Sequence, residues 1–322
     1  MTDQAKASSD AGNGKKQHVR VLILGSGPAG LSAALYAARA ELAPVVLSGI
    51  QLGGQVAVTF TVENYPGFPE GVGGSQLGEL FQKQAEHFGA TVEFDSANQV
   101  DLSQRPFRVR TDTREYTADT LIITTGADPN RLKIPGEAEL TGRGVSYCAT
   151  CDGWFFKEKR VVIVGGGDSA LEEGLFITRY ASAVTIVHRR EEFRAGAILQ
   201  TRAREHPKVS FVLNTVLTEV IGAEKTEAVR MKNVASGLES IYETDGVFIF
   251  IGHTPNTQMF SGQLDMIDGG YLKVDERMRT SVKGVFAAGE AADPYFRQVV
   301  TSAGMGAAAA IQATRLLEVE GG

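Results

Sequence analysis

The sequence is short of cysteine. It has two among 322 residues, set together as Cys148-Ala149-Thr150-Cys151 and followed by Asp152-Gly153. A structural zinc site takes about four ligands. The next histidine downstream is His188, so zinc is disfavoured and no metal is expected. Also missing is any run of roughly 18 to 20 apolar residues, the length of a membrane span, so no membrane partner is expected. The first 17 residues are polar and lack the apolar stretch of a secretory signal. They are expected to form a flexible tail on a cytoplasmic protein. In a reducing compartment a CxxC is more often catalytic or metal-binding than a structural disulfide. Positive charge is not in excess either: the formal net charge is -6. That argues against nucleic acid, whose phosphates require a basic face. By elimination the cysteines read as a redox pair.

What the chain has in quantity is glycine. Many of its 37 glycines fall in GxG clusters rather than low-complexity runs, which suits tight turns and close backbone approach to ligands. The length suggests two domains. Val19 to Leu24 is a β-branched apolar run, the pattern of a buried parallel strand. It enters Gly25-Ser26-Gly27-Pro28-Ala29-Gly30 and then an Ala-rich helical stretch from Leu31 to Ala40. Strand, GxGxxG and helix in that order make a dinucleotide fingerprint. Gly25 serves the turn, Gly27 admits the pyrophosphate, Gly30 lets the helix pack, and the helix N-terminus faces the phosphates. The next strand, Val45 to Leu47, ends at Ser48-Gly49, where such folds usually carry an acid for a ribose hydroxyl. Gly53-Gly54-Gln55 and Glu63-Asn64-Tyr65-Pro66-Gly67 lie in a long, turn-rich insertion of the functional kind. A helix is predicted over 76–90, a small meander over 91–120, and a separate strand over 121–127 ending in the Gly126 turn.

Asp128 to Gly136 has the proline and glycine of a linker. Beyond the cysteines, Arg160 to Val164 is a second strand entering Gly165-Gly166-Gly167-Asp168-Ser169-Ala170, a fingerprint that tolerates Ala at its last position. The strand Val184 to Val187 ends in His188-Arg189-Arg190, with Arg194 four residues on. A basic cluster there, in place of an acid, suits a 2′-phosphate and points to NADP(H). A further strand reaches Ile251, and Gly252 to Thr257 looks like a second linker. Val285 to Ala288 ends in Gly289-Glu290, followed by Asp293, Arg297, Gln298 and a small-residue helix from Thr301 to Leu317. The expected fold class is α/β, with two Rossmann-like nucleotide-binding domains, one inserted into the other. The CxxC precedes Gly165 by fourteen residues and is assigned to the inserted domain.

With these residues in view, the sequence resembles the bacterial low-molecular-weight thioredoxin reductases from about residue 19 to 317. The carriers are GSGPAG (25–30), GGQ (53–55), VENYPGFPE (62–70), CATCDG (148–153), GGGDSA (165–170), HRREEFR (188–194), IGHTPNT (251–257) and the run from Gly284 to Gly304. The resemblance implies a homodimer with one FAD per subunit that uses NADPH to reduce thioredoxin. It implies a three-layer ββα type of domain: an FAD domain over 18–128 and 258–322, and an NADPH domain over 129–257 carrying the CxxC. Carried over by position, Cys151 lies against the flavin, Cys148 attacks the partner disulfide, and Asp152 exchanges protons with the thiols. The resemblance places FAD on Gly25, Ser26, Gly27, Pro28, Ala29 and Gly30, on Ser48 and Gly49, and on Gly54, Gln55, Asn64 and Gly126. It adds Gly289, Glu290, Arg297, Gln298 and Val299. NADPH falls to Gly165, Gly167, Asp168, Ser169 and Ala170, to His188, Arg189, Arg190 and Arg194, and to Ile251 and Gly252.

Three positions depart from the pattern. Glu290 stands where the family usually has Asp, Ser48 is a neutral ribose partner, and Trp154 replaces a smaller residue and is read as core. Disulfide and nicotinamide ride on one domain, and both need the flavin. A rotation of that domain about linkers near 126–136 and 251–257 is therefore expected. The rival readings are a flavin reductase with another donor or acceptor protein, and a non-enzymatic redox sensor.

Overall fold

The computed structural model describes residues 15–59 and 61–321. The expected tail lies outside the described residues up to 14. Its last three positions, 15–17, already belong to the first strand, β1 (Lys15–Leu24). The chain divides into two compact units. One takes residues up to 61, 65–127 and 255 onward; the other takes 62–64 and 128–254.

In the first unit β1 leads to α1 (Pro28–Arg39), β2 (Val45–Leu47), α2 (Gly74–His87) and β3 (Thr91–Glu93). Then come β4 (Gln99–Asp101), β5 (Phe107–Arg110) and β6 (Arg114–Ile123). The sheet order is β3-β2-β1-β6-β5-β4. Sequence patterning assigns 91–120 to one meander and 121–127 to another strand ending in a Gly turn, and the structure corrects both. β3 pairs parallel with β2 and extends the nucleotide sheet. β6 is one ten-residue strand, with β5 antiparallel along residues 115–118. The turn residues Asp112 and Thr113 reverse the chain once, and nothing interrupts it again before Gly126. The core has two faces. Leu22 and Leu24 of β1 join Leu121 and Ile123 of β6 on one side, while Val21, Ile23 and Ile122 pack with the alanines of α1 on the other. Burial on both faces is why these strands are continuously apolar rather than alternating.

The second unit runs through β7 (Ala127–Pro129), β8 (Val145–Ser146), the one-turn α3 (Ala149–Asp152), β9 (Arg160–Gly165), α4 (Asp168–Ile177), β10 (Ala183–Val187), α5 (Ala197–Glu205) and β11 (Val209–Val212). It continues with β12 (Thr215–Ile221), β13 (Ala228–Asn233), β14 (Glu239–Glu243), β15 (Gly246–Phe250) and β16 (His253–Pro255). Five strands form a parallel sheet in the order β11-β10-β9-β15-β8, and β12-β13-β14 form an antiparallel meander. Val161 and Ile163 of β9 face Leu171 and Ile177 of α4. Val162 and Val164 face Leu217, Val229 and Met231 of the meander. The unit is thus helices, parallel sheet and meander in three layers. The chain enters and leaves it along the ribbon of β7 with β16.

After β16 the chain returns to the first unit. β17 (Val285–Ala287) pairs parallel with β6 along residues 121–123. The last helix, α6 (Val299–Gly321), packs on α1 through small residues. A Cβ on its Gly306 would lie 1.9 Å from the Ala29 carbonyl oxygen, so the two backbones meet there. Among the described residues no helix is long and apolar enough to cross a membrane.

Candidate active site

In the first unit the predicted residues gather at the carboxyl ends of neighbouring strands. Leu24 of β1 is in register with Leu47 of β2 and with Ile123 of β6, and Ile123 with Ala287 of β17. The segments that follow these four residues carry Gly25 to Gly30, Ser48-Gly49, Gly126 and Gly289-Glu290. Open α/β sheets bind ligands at that edge. Gly25 has φ +110°, and a Cβ on it would sit 2.3 Å from the Thr124 carbonyl oxygen. A Cβ on Gly30 would lie 1.9 Å from the Gly25 oxygen. At Gly27 a Cβ would meet nothing within 4 Å, which is the open cradle a pyrophosphate needs. Pro28 opens α1, where its missing N–H costs nothing.

Two serines in this group act within the chain. Ser26 Oγ donates to the Ser48 carbonyl at 3.0 Å and accepts from Gly53 N at 3.2 Å, tying the glycine loop to the segment before Gly54. Ser48 is buried, and its hydroxyl donates to Gly49 O at 2.9 Å. Only its oxygen lone pairs are left for a ligand. Downstream, the buried Asp293 carboxylate accepts the N–H groups of Tyr295, Phe296 and Arg297 at 2.9, 3.0 and 3.2 Å. It shapes the loop that leads through Arg297 and Gln298 to Val299 at the start of α6. Glu290 is half-buried in the turn Gly289–Ala291. Gln55 lies in the short helix Gly54–Val58 of the first unit, whereas Asn64 falls in 62–64, grouped with the second.

The second unit repeats the arrangement. β10, β9 and β15 are neighbours, and the segments after them carry His188, the Gly165–Ala170 loop and Ile251-Gly252. A Cβ on Gly165 would collide with the Phe250 carbonyl at 2.4 Å, whereas at Gly167 it would meet nothing within 4 Å. Asp168 Oδ1 accepts Gly196 N at 2.7 Å, Ser169 is exposed and Ala170 is buried. Asn130 donates to Ile251 O from its side chain and to Gly252 O from its backbone.

The basic cluster divides. Arg189, Arg190 and Arg194 are exposed. His188 is 5% exposed, stacks on Phe193 at 5.3 Å, and would lie 2.2 Å from a Cβ on Gly166. It packs beneath the glycine loop rather than beside the arginines. Burial lowers its pKa; a backbone hydrogen bond at Glu192 opposes the shift and the three arginines add to it.

Cys148 and Cys151 are disulfide-bonded across the single turn of α3. Cys148 Sγ caps that turn, accepting Cys151 N at 3.2 Å, and Thr150 Oγ1 lies 3.4 Å away. Asp152 closes the turn. Burial pushes its carboxyl above the ordinary carboxylate range, and a hydrogen bond from Ser146 opposes the shift. That bond, Ser146 Oγ to Asp152 Oδ2, is 2.5 Å.

The sequence reading missed Ser146. Its signal is a hydroxyl at the end of a short strand two residues before the first cysteine. It also missed Glu137, a buried carboxylate that accepts Leu132 N at 2.9 Å, Lys133 N at 2.6 Å and Tyr147 OH at 2.8 Å. Burial and then Glu137 push the Tyr147 phenol far up. This knot anchors the residue before Cys148. Trp154 overturns its expectation. It is 55% exposed, edge-on to Tyr180 at 5.8 Å, beside an exposed Phe155. The short helix Gly153–Phe156 buries Phe156 against Phe248 instead.

Residues 19–306 match the pyridine nucleotide-disulphide oxidoreductase family. The chain is 49% identical over 303 residues to a thioredoxin reductase of Rickettsia felis, covering 92% of this chain and 98% of that one. It is 47% identical over 314 residues to a thioredoxin reductase of Vibrio cholerae, covering 95% and 98%. Among solved structures it is similar to the thioredoxin reductase of Streptococcus pyogenes, with 39% identity, a TM-score of 0.90, and coverage of 94% and 99%.

Proposed function

The chain belongs to the pyridine nucleotide-disulphide oxidoreductases, and among them to the thioredoxin reductases, and on that premise we propose that it reduces the disulfide of thioredoxin with electrons from NADPH by way of FAD. The observation that carries the reading is the Cys148–Cys151 disulfide with Asp152 on the same helical turn, its carboxyl raised by burial. A carboxyl raised toward neutrality is suited to exchange a proton with a sulfur.

Gly25 to Gly30 and the strand ends around them are the FAD cradle, supported by the open space at Gly27. Ser48 meets the ribose as an acceptor only. The loop from Gly165, open at Gly167, is the NADPH cradle. Arg189, Arg190 and Arg194 are exposed there for the 2′-phosphate, and His188 supports the loop from below. Bound FAD supplies two-electron transfer between a nicotinamide and a disulfide. The chain's own residues do the rest. Cys148, as its thiolate after reduction, attacks the partner disulfide and forms a mixed disulfide. Cys151 then attacks Cys148, restoring the intramolecular bond and releasing the partner's second sulfur. Asp152 holds or gives the proton. Exposed Trp154 and Phe155 beside the cysteines offer an apolar face for thioredoxin. A homodimer in the cytoplasm is part of the same reading.

The test is a titration of the purified yellow protein. NADPH should bleach the flavin, and oxidised thioredoxin should restore the colour. A flavin that NADPH leaves oxidised would overturn the donor, and bleaching without return of colour would overturn the acceptor. NADH should bleach only at much higher concentration. Arg189→Ala with Arg190→Ala should remove that preference, raising the KM for NADPH roughly 10- to 100-fold, as losing charge-assisted hydrogen bonds would.

A further inference from the structure

We propose that Ser146 is a positioning residue for Asp152, a rotating hydroxyl that holds the carboxyl in one orientation beside the disulfide in both of its protonation states. The inference rests on the role proposed above for Asp152.

Ser146 ends β8 and is 4% exposed. Its Oγ has three polar neighbours. It lies 2.5 Å from Asp152 Oδ2, 3.3 Å from the Cys148 carbonyl oxygen, and accepts Cys148 N at 3.1 Å. A hydroxyl has one proton to give and two lone pairs to receive, so it cannot donate to both oxygens at once. When Asp152 is ionised, the Ser146 proton points to Oδ2. When Asp152 is protonated, its own O–H donates to Ser146 Oγ, and the Ser146 proton turns to the Cys148 carbonyl. In both states the Ser146 proton has an acceptor, and the exchange needs only rotation about the Cβ–Oγ bond. Because the same oxygen is bonded to the backbone of Cys148, the carboxyl and the first cysteine share one anchor.

The proton account closes. In the reduced protein Cys148 and Cys151 together hold two thiol protons. The Cys148 thiolate attacks one partner sulfur, the partner S–S bond breaks, and the leaving sulfur takes a proton. The Cys151 thiolate then attacks Cys148 Sγ. The mixed bond breaks, Cys148–Cys151 re-forms, and the second partner sulfur takes the other proton. Two electrons and two protons leave the dithiol for the partner. Asp152 holds one of those protons between thiol and leaving group, and Ser146 keeps it in place while it does.

The surroundings leave this task to Ser146. Burial and the Ser146 hydrogen bond are the two influences on the Asp152 carboxyl. The helix packed against α3 is α4, whose titratable groups are Asp168, Glu172 and Glu173.

The experiment follows the carboxyl directly in the holoenzyme. The infrared carbonyl band of protonated Asp152, identified by its loss in Asp152→Asn, is titrated against pH in the unaltered protein, Ser146→Ala and Ser146→Thr. The midpoint should rise by roughly one pH unit in Ser146→Ala, because the ionised form loses its donor. Ser146→Thr, which keeps the hydroxyl, should restore it. Turnover with oxidised thioredoxin should fall about tenfold in Ser146→Ala, as the same one-unit mismatch implies. Placed in Asp152→Asn, Ser146→Ala should cause no further loss. An unmoved midpoint, or an equal loss of turnover with and without Asp152, would overturn the proposal. If the unaltered protein does not reduce thioredoxin, the proposed function fails, and the carbonyl titration still decides whether Ser146 holds Asp152.

Discussion

At the scale of the residue, burial decides roles that residue type leaves open. His188, Arg189 and Arg190 are consecutive, yet the first is stacked on Phe193 and the next two are exposed. The three follow the end of β10 at Val187, and only the first turns inward, under Gly166. Asp152 is the clearest case. Its carboxyl is raised by burial, so the folded chain binds a proton more tightly than the unfolded chain does. The sign follows from linkage. Folding is uncompromised at pH below the ordinary carboxylate pKa, and stability is lost as the pH rises through the folded value. Asp152→Asn should therefore raise the melting temperature at pH 8 and leave it nearly unchanged at pH 4, while thioredoxin turnover falls. Thermal melts at the two pH values check this, and equal effects at both would contradict it. The cysteine pair and the acid beside it were legible from adjacency. Ser146 was not, because its contact with Asp152 depends on a strand end and a helical turn folding back on each other.

At the scale of the element, glycine spacing marked the two strand-to-helix turns, because the constraint is steric and local. Gly30 must lack a side chain, since a Cβ there would lie 1.9 Å from Gly25 O. Gly30→Ala should force α1 away from β1, costing about 1–3 kcal/mol of stability as overpacking does and weakening FAD retention. Denaturant melts and the flavin absorbance of the purified protein measure both. Strand pairing was less legible. The residues of β6 read as two pieces because Thr117 to Thr120 mixes polar and apolar positions. In the fold that mixture reflects different neighbours along one strand: β5 beside 115–118 and β17 beside 121–123. A partner 164 residues away leaves no mark on local pattern. Trp154 misled for a related reason. A large aromatic suits a core, but the short helix after the cysteines turns Phe156 inward and leaves Trp154 outside.

At the scale of the whole molecule, the chain forms two units, and it enters and leaves the second along one ribbon, β7 with β16. In the proposed function the disulfide of the second unit exchanges electrons with a flavin in the first and then with a separate protein. We expect a turn about that ribbon to serve both, on the μs to ms timescale usual for hinged domains. A covalent crosslink that locks the units should abolish steady-state thioredoxin reduction and leave one half-reaction intact in single-turnover measurements. Full turnover in the locked protein would refute the rotation. What the sequence alone determined is the inventory: two glycine loops, one redox pair with an adjoining acid, a basic cluster, and their order along the chain. Each depends on short-range sterics or on residue chemistry, which travel with the sequence. What only the tertiary structure decided is which groups meet. It put Ser146 on Asp152, His188 under Gly166, Glu137 on Tyr147 and β17 beside β6. Such contacts are set by burial and long-range packing, and no window of the sequence contains both partners' surroundings at once.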